Sequence, residues 1–174
     1  FFHDMKYDPE HRIFNPELGG SVLLDLGIYS ITFLQIVNKD QPPKSIISAL
    51  RNAPTGVDAY NTATLSWDSG VIGQMTSCAG IQRLAEDYFG LVIGDQGSIV
   101  VPEFHDSVEA ILYNREGKIV EKFKSPHKCN GFEYEIQEVI DCLLSGKTES
   151  SIQTHAATLT AMETLDRIMA GTTF

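Results

Sequence analysis

Residues Gly19-Gly20-Ser21-Val22-Leu23-Leu24-Asp25-Leu26-Gly27-Ile28-Tyr29-Ser30-Ile31-Thr32-Phe33-Leu34-Gln35-Ile36-Val37 form an apolar run opened by two glycines. Wound as a helix, the run turns apolar side chains in every direction, the mark of a buried helix. It holds one carboxylate, Asp25, and one phenol, Tyr29, four residues apart, a spacing that stacks them on one helical face. An ionised group in a buried helix is costly unless something pairs with it. Asp25 therefore has a structural partner or lines a polar site. Gly27, inside the helix, costs roughly 1 kcal/mol against Ala. Its presence points to the close approach of another backbone or of a ligand.

Upstream, residues 1–7 read as a strand and residues 8–13 as a polar loop. Asn15-Pro16-Glu17 is a helix-start signal, with Asn as cap and Pro at the first helical position. The two glycines then make a short turn, and the long helix is predicted from about Ser21, an alternative cap, to Val37. Asn38-Lys39-Asp40 and Pro42-Pro43 end it.

Downstream, strands are predicted over 44–52, 59–67, 71–79, 87–93, 98–101, 108–113 and 118–123. Asp68-Ser69-Gly70, Asp95-Gln96-Gly97 and Asn114-Arg115-Glu116-Gly117 are the turns between successive hairpins. Along the second strand, Tyr60, Thr62, Thr64 and Ser66 fall on one side and Asn61, Ala63, Leu65 and Trp67 on the other. Hairpin after hairpin implies a largely antiparallel sheet. Phe132, Ile136, Val139, Ile140 and Leu143 repeat at helical spacing, with Gly146 at the C-cap position. A last helix is predicted from about Thr154 to Ala170, burying Leu159, Met162, Leu165 and Ile168 or Met169. The fold class is α+β: an open, mostly antiparallel β-sheet with helices packed on one face. At 174 residues the chain is read as one domain, residues 1–174. It starts without Met in strand-like sequence, so it is read as the C-terminal piece of a longer protein.

The net charge of −10 argues against a nucleic-acid or anionic-membrane partner. No run of about 18 apolar residues is present to span a membrane. Cys78, Cys129 and Cys142 are odd in number and form no CxxC pair. They read as reduced thiols of a cytoplasmic protein rather than as a disulfide framework.

No spacing suits a metal: His3, His11, His105, His127 and His155 make no HxH or HExxH. No GxGxxG, GxxxxGK[ST] or GxSxG occurs either. Gly19 and Gly20 let the chain approach a ligand or a neighbouring domain. His105, beside Phe104 in a loop after Pro102, is the histidine placed near a pocket; otherwise it is a surface residue. Glu133, Glu135 and Glu138 read as the solvated side of their helix, in its N-terminal half where the macrodipole favours them. For Asp25 and Tyr29 the plain reading is a structural carboxylate and a core tyrosine with a satisfied hydroxyl. The functional one is a general acid whose phenol needs a nearby cation, and the helix offers no lysine.

Asn15-Pro16-Glu17-Leu18-Gly19-Gly20-Ser21-Val22-Leu23-Leu24-Asp25-Leu26-Gly27-Ile28-Tyr29 resembles the GGGxxxDxGxY/H motif of the glucose–fructose oxidoreductase / inositol dehydrogenase (Gfo/Idh/MocA) family. The tyrosine is similar to that of its dihydrodiol dehydrogenase-like branch. Thr55-Gly56-Val57-Asp58, Gly97-Ser98-Ile99-Val100-Val101-Pro102, Gly131-Phe132-Glu133-Tyr134-Glu135-Ile136 and Met162-Glu163-Thr164-Leu165-Asp166 agree in the same order. Many members have Gly where Ser21 stands and His where Tyr29 stands.

The resemblance implies a C-terminal domain of the glyceraldehyde-3-phosphate dehydrogenase-like type, preceded in the intact protein by a Rossmann domain that this chain lacks. It implies NAD or NADP, bound mainly by that missing domain, and a carbohydrate-like small-molecule substrate. Tyr29 would exchange the proton at the substrate oxygen and Asp25 would orient the substrate. Gly19 and Gly20 would lie close to the nicotinamide, and a lysine of the first domain would be the missing cation. The sheet face would join copies into a homo-oligomer, a dimer. The intact enzyme would be an NAD(P)-dependent dehydrogenase of a sugar, polyol or diol CH–OH group, and this chain alone is predicted inactive. The alternative is a non-catalytic oligomerisation or ligand-binding module that uses the exposed sheet face, which is rather polar with some aromatic content.

Overall fold

The computed structural model describes residues 2–80 and 89–173. Their contacts group into two compact units, one made of the residues up to Gly80 together with those from Thr160 onward, the other of Phe89–Leu159.

The first unit contains β1 (Phe2–His3), the helix α1 (Ile28–Asn38), and the strands β2 (Ser45–Asn52), β3 (Asp58–Ser66) and β4 (Ile72–Ala79). It also takes the C-terminal part of α3 (His155–Met169) and a last short strand, Thr172–Thr173. β2, β3 and β4 are antiparallel neighbours. β1 runs parallel to the outer edge of β4, and Thr172–Thr173 runs parallel to the outer edge of β2.

The predicted strand over 1–7 stops at His3. The register explains it: His3 pairs with Ala79, where β4 ends, so the following residues have no ladder to join. The alternation read along β3 holds. Asn61, Ala63, Leu65 and Trp67 are buried, while Tyr60, Thr62, Thr64 and Ser66 lie on the more exposed side. The buried face meets Leu23, Ile31, Ala161, Leu165 and Ile168 in one core, and burying each of the large aliphatic side chains there contributes roughly 1.5–3 kcal/mol. The sheet thus carries helices on one face, and Ile47, Tyr60 and Ile72 stand exposed on the other.

On α3 the buried stripe is Ala157, Ala161, Thr164, Leu165 and Ile168, whereas Leu159, Met162 and Met169 are exposed. The helix has turned its small residues inward, a stripe that large-residue periodicity does not reveal. Ser48 Oγ donates to the Ile168 carbonyl at 2.8 Å, and Arg167 donates to the carbonyls of Pro43 and Lys44. These bonds fasten the end of α3 to the start and middle of β2.

The second unit holds an antiparallel meander of β5 (Phe89–Gly94), β6 (Gly97–Pro102), β7 (Glu109–Asn114) and β8 (Ile119–Lys124), followed by α2 (Phe132–Leu144). The strand predicted from Asp87 is described from Phe89 onward, and its first residues lie outside the described region. The strands expected as one open sheet are hydrogen-bonded as two. Each edge of the first sheet carries a two-residue strand, and β5–β8 pair only among themselves.

Glu133 at the start of α2 is not simply solvated. Its carboxylate accepts from the backbone N–H groups of Lys128, Cys129, Asn130 and Gly131 at 2.7–3.1 Å. Partial desolvation works upward, but the backbone hydrogen bonds outweigh it and hold the carboxyl at about 2.

Candidate functional site

The segment that leads into the site is held by short-range rules. Asn15 caps a 3₁₀ turn over Pro16–Leu18, its side chain accepting from Glu17 N–H at 2.9 Å. Gly19 follows in the left-handed region at φ +72, with open space around it. Gly20 is packed tightly: a Cβ there would lie 2.7–2.9 Å from the carbonyl oxygens of Ile13, Asn15 and Arg12. Those contacts are with the chain's own loop, which folds back over the turn.

Ser21 caps the next helical segment, its Oγ accepting from Leu24 N–H at 3.0 Å. The expected continuous α-helix begins instead with a π-helical turn, Leu23–Gly27, and becomes α1 at Ile28. Widened turns of this kind re-aim side chains and often occur at functional sites. Gly27 ends the turn, with the side chains of Leu23, Ser77 and Met75 pressed to within 2.7–3.3 Å of where a Cβ would stand. The close approach expected there comes from side chains, two of them on β4, rather than from a backbone or a ligand.

Asp58 anchors this turn. It is buried at the start of β3, where its carboxylate accepts from Ser21 Oγ at 2.5 Å, Leu23 N–H at 2.6 Å and Asn61 Nδ2 at 3.0 Å. Ser77 Oγ in turn donates to Asn61 Oδ1. A buried carboxylate with this many donors is satisfied without a counter-cation, and it faces the first N–H groups of a helical segment.

Asp25 sits in the π-helical turn, its side chain about one-quarter exposed. The Arg12 guanidinium grips it two-pronged, Nη1 to Oδ1 at 2.5 Å and Nη2 to Oδ2 at 3.2 Å. The hydrogen bond to Asp25, then the carboxylate's charge, push the guanidinium's pKa up; burial pulls slightly the other way, and Tyr29 adds to the rise. Arg12, Gly19, Gly20, Ser21, Leu24 and Asp25 line a cleft of about 160 Å³. Tyr29 follows at the start of α1 and is 44% exposed. Gly19, Gly20 and Asp25 are therefore together, with Tyr29 next along the same segment. His105 belongs to the second unit, in the connection between β6 and β7 with its ring 6.1 Å from that of Phe104.

A larger hollow of about 560 Å³ lies on the first sheet, lined by residues that include Arg51, Tyr60 and Cys78. Burial pushes the Cys78 thiol up, which disfavours the thiolate. Lacking a paired acid and base, it is the weaker candidate. Among the described residues no group of three or more His, Cys, Asp or Glu could hold a metal ion, and no helix is long and apolar enough to cross a membrane.

The comparisons with known proteins bear on this geometry. The GFO/IDH/MocA C-terminal domain matches residues 1–100, the part that holds the whole cleft. The chain belongs to this family. Trans-1,2-dihydrobenzene-1,2-diol dehydrogenase of Danio rerio is 31% identical over 163 residues, covering 89% of this chain and 47% of that protein. The Homo sapiens enzyme of the same name is 30% identical over 138 residues, covering 76% and 40%. The chain thus spans about half the length of the curated relatives it matches. Two solved structures share the Gfo/Idh/MocA fold with a TM-score of 0.78 each. One is the aldose-aldose oxidoreductase of Caulobacter crescentus complexed with glycerol, 18% identical, covering 97% of this chain and 50% of that one. The other is a 3-ketoreductase of Actinomadura kijaniata in complex with NADP and TDP-benzene, 20% identical, covering 100% and 53%.

Two residues of this candidate site are not singled out by the sequence. Arg12 fell in a stretch read as loop; the signal was the buried-helix carboxylate itself, which called for a cation. Asp58 was noted only within a family motif. Between Arg51–Tyr60 and Asn52–Asp58 the register skips one residue of β3, a bulge that turns Asp58 inward against strict alternation.

Proposed function

We propose that this chain is the substrate-binding half of an NAD(P)-dependent oxidoreductase acting on a CH–OH group of a sugar, polyol or diol. The observation that carries the reading is the exposed residue Tyr29, set on the segment whose preceding turn places Asp25 in a cleft. The dihydrodiol dehydrogenase relatives support the choice of substrate class.

Asp25 orients the substrate by accepting from a hydroxyl. Tyr29 holds the proton that passes to or from the substrate oxygen, as a general acid or base. The open left-handed backbone of Gly19 leaves room beside the cleft for a nicotinamide ring, whereas the packing of Gly20 is already explained by its own loop. NAD or NADP, bound mainly by a dinucleotide-binding half outside these residues, supplies the hydride acceptor or donor. The setting is taken to be cytoplasmic.

The test is turnover of a diol and polyol panel with each nicotinamide cofactor by the full-length protein, followed by nicotinamide absorbance. Tyr29→Phe is expected to lower kcat roughly a hundredfold or more; near-normal turnover sinks the assignment.

A second reading rests on the exposed Ile47, Tyr60 and Ile72 of the first sheet: this face pairs with a second copy. It is compatible with the first reading, and a strict monomer in sedimentation removes it.

A further inference from the structure

The Arg12–Asp25 pair has the outward form of a surface ion pair, and such pairs are commonly worth little. Three features set it apart. The contact is two-pronged, the strongest geometry available to this pair of groups. Both partners are held by rigid backbone: Asp25 by the turn that Asp58 anchors, Arg12 by a loop whose carbonyl oxygens close over Gly20. And both line the same cleft. Arg12 is 64% exposed at its side chain and Asp25 26%, so the pair is open on its outer side. The fork uses one N–H on each terminal nitrogen and one direction on each carboxylate oxygen. That leaves the guanidinium with further donors and the carboxylate with further lone pairs.

Resting on the function proposed above, we infer that Arg12 and Asp25 act as one ligand-gripping unit. Arg12 donates to one oxygen of a vicinal diol, and Asp25 accepts from the hydroxyl of the other. The pair carries no net charge, so it suits an uncharged polyol and offers no unpaired cation to a phosphate or carboxylate. Arg12 then has two duties: it touches the ligand and it fixes the direction of Asp25. Lysine cannot do both, because an ammonium is a point charge without the planar fork.

The experiment is binding of trans-1,2-cyclohexanediol and of cyclohexanol to the full-length protein, by ligand-observed NMR. The variants are Arg12→Lys, Arg12→Ala, Asp25→Asn and the double Arg12→Ala/Asp25→Asn, each checked by circular dichroism for an unchanged fold. The diol is expected to bind more tightly than cyclohexanol. Each single variant is expected to weaken the diol tenfold or more, the double variant to be no weaker than the worse single one, and cyclohexanol, with one hydroxyl to offer, to lose less than the diol in every variant. Arg12→Lys should fall with Arg12→Ala. Diol binding that survives Arg12→Ala, losses that add in the double variant, equal losses for both ligands, or no diol binding by the wild type each overturn the inference. Diol binding as expected but without hydride transfer to either cofactor leaves the grip standing and removes the oxidoreductase reading instead.

Discussion

Replacing Asp58 by alanine asks how firmly the site segment is held. Three donors end on that carboxylate: the Ser21 hydroxyl, the Leu23 N–H and the Asn61 amide. All sit in the interior, with Ser21, Leu23 and Asn61 at 4%, 0% and 0% exposure. Leaving a buried donor without an acceptor costs about 1–3 kcal/mol. The Ser21 hydroxyl is free to rotate about its C–O bond; the Leu23 N–H cannot move without the turn, and the Asn61 amide is already bound to Ser77 through its oxygen. The loss then comes to about 3 kcal/mol, from two stranded donors and a small void.

For a chain of this size each kcal/mol lowers Tm by about 2–4 °C, so Asp58→Ala is expected to lower it by about 6–12 °C. Asp58→Asn fills the space but turns one N–H group toward a donor, and should cost about half as much. Thermal unfolding by circular dichroism reads the first effect. Amide hydrogen exchange reads the second, local one: Leu23 and Leu24 should lose protection before the core strands do. An Asp58→Ala variant that melts within about 2 °C of wild type, with the Leu23 amide still protected, would falsify the anchoring argument.

Two other measurements bear on the same architecture. Gly20→Ala puts a methyl against three backbone carbonyls that cannot step aside, and is expected to destabilise by about 1–3 kcal/mol. Gly27→Ala meets only the ends of the flexible Leu23 and Met75 side chains and a Ser77 hydroxyl, and the gain in helix propensity of about 1 kcal/mol offsets the crowding. Parallel denaturant titrations should therefore separate the two; equal costs would contradict the distinction between backbone and side-chain neighbours. Glu133 gives a pH signature. Its carboxyl is held at about 2 against an ordinary 4.5, a depressed value, so its contribution is fully present above about 4.5 and disappears as pH falls toward 2. In the folded protein the amide resonances of residues 128–131 should shift only as pH approaches about 2, where the carboxyl itself takes up a proton, and stay still in Glu133→Gln.

Much of the fold was legible because it comes from local periodicity. The strands β2, β3 and β4 and the meander β5–β8 arise from alternation and turn residues, and Asn15-Pro16 and Ser21 cap where their side-chain chemistry says they should. The features that escaped depend on contacts distant in sequence. β1 is short because β4 runs out at Ala79. The strands divide into two sheets, with β5–β8 pairing only among themselves, a choice of partner that alternation within a strand does not encode. The inward stripe of α3 uses Ala157 and Ala161, small residues that carry little hydrophobic signal on their own. Asp58 points inward only because of a one-residue bulge, and a bulge reverses the parity on which any alternation argument rests.

Asp25 poses the same difficulty in another form. Its position in an apolar run leaves two explanations, a structural partner or a polar site, that compete only if the partner lies on the helix itself. They do not, because the partner comes from outside the helix. An i±4 lysine would have neutralised Asp25 along the helix surface, facing solvent. Arg12 instead reaches it from a loop 13 residues earlier, and that loop is one wall of the cleft. The group that makes the carboxylate tolerable is thus also a wall of the cleft. The same argument explains the two glycines before it. Gly20 lets the loop carrying Arg12 close over the turn, and Gly19, at φ +72 with open space beside it, turns the chain without filling the opening. A substitution at Gly20 therefore acts on Asp25 through the position of Arg12, even where it leaves the helix itself intact.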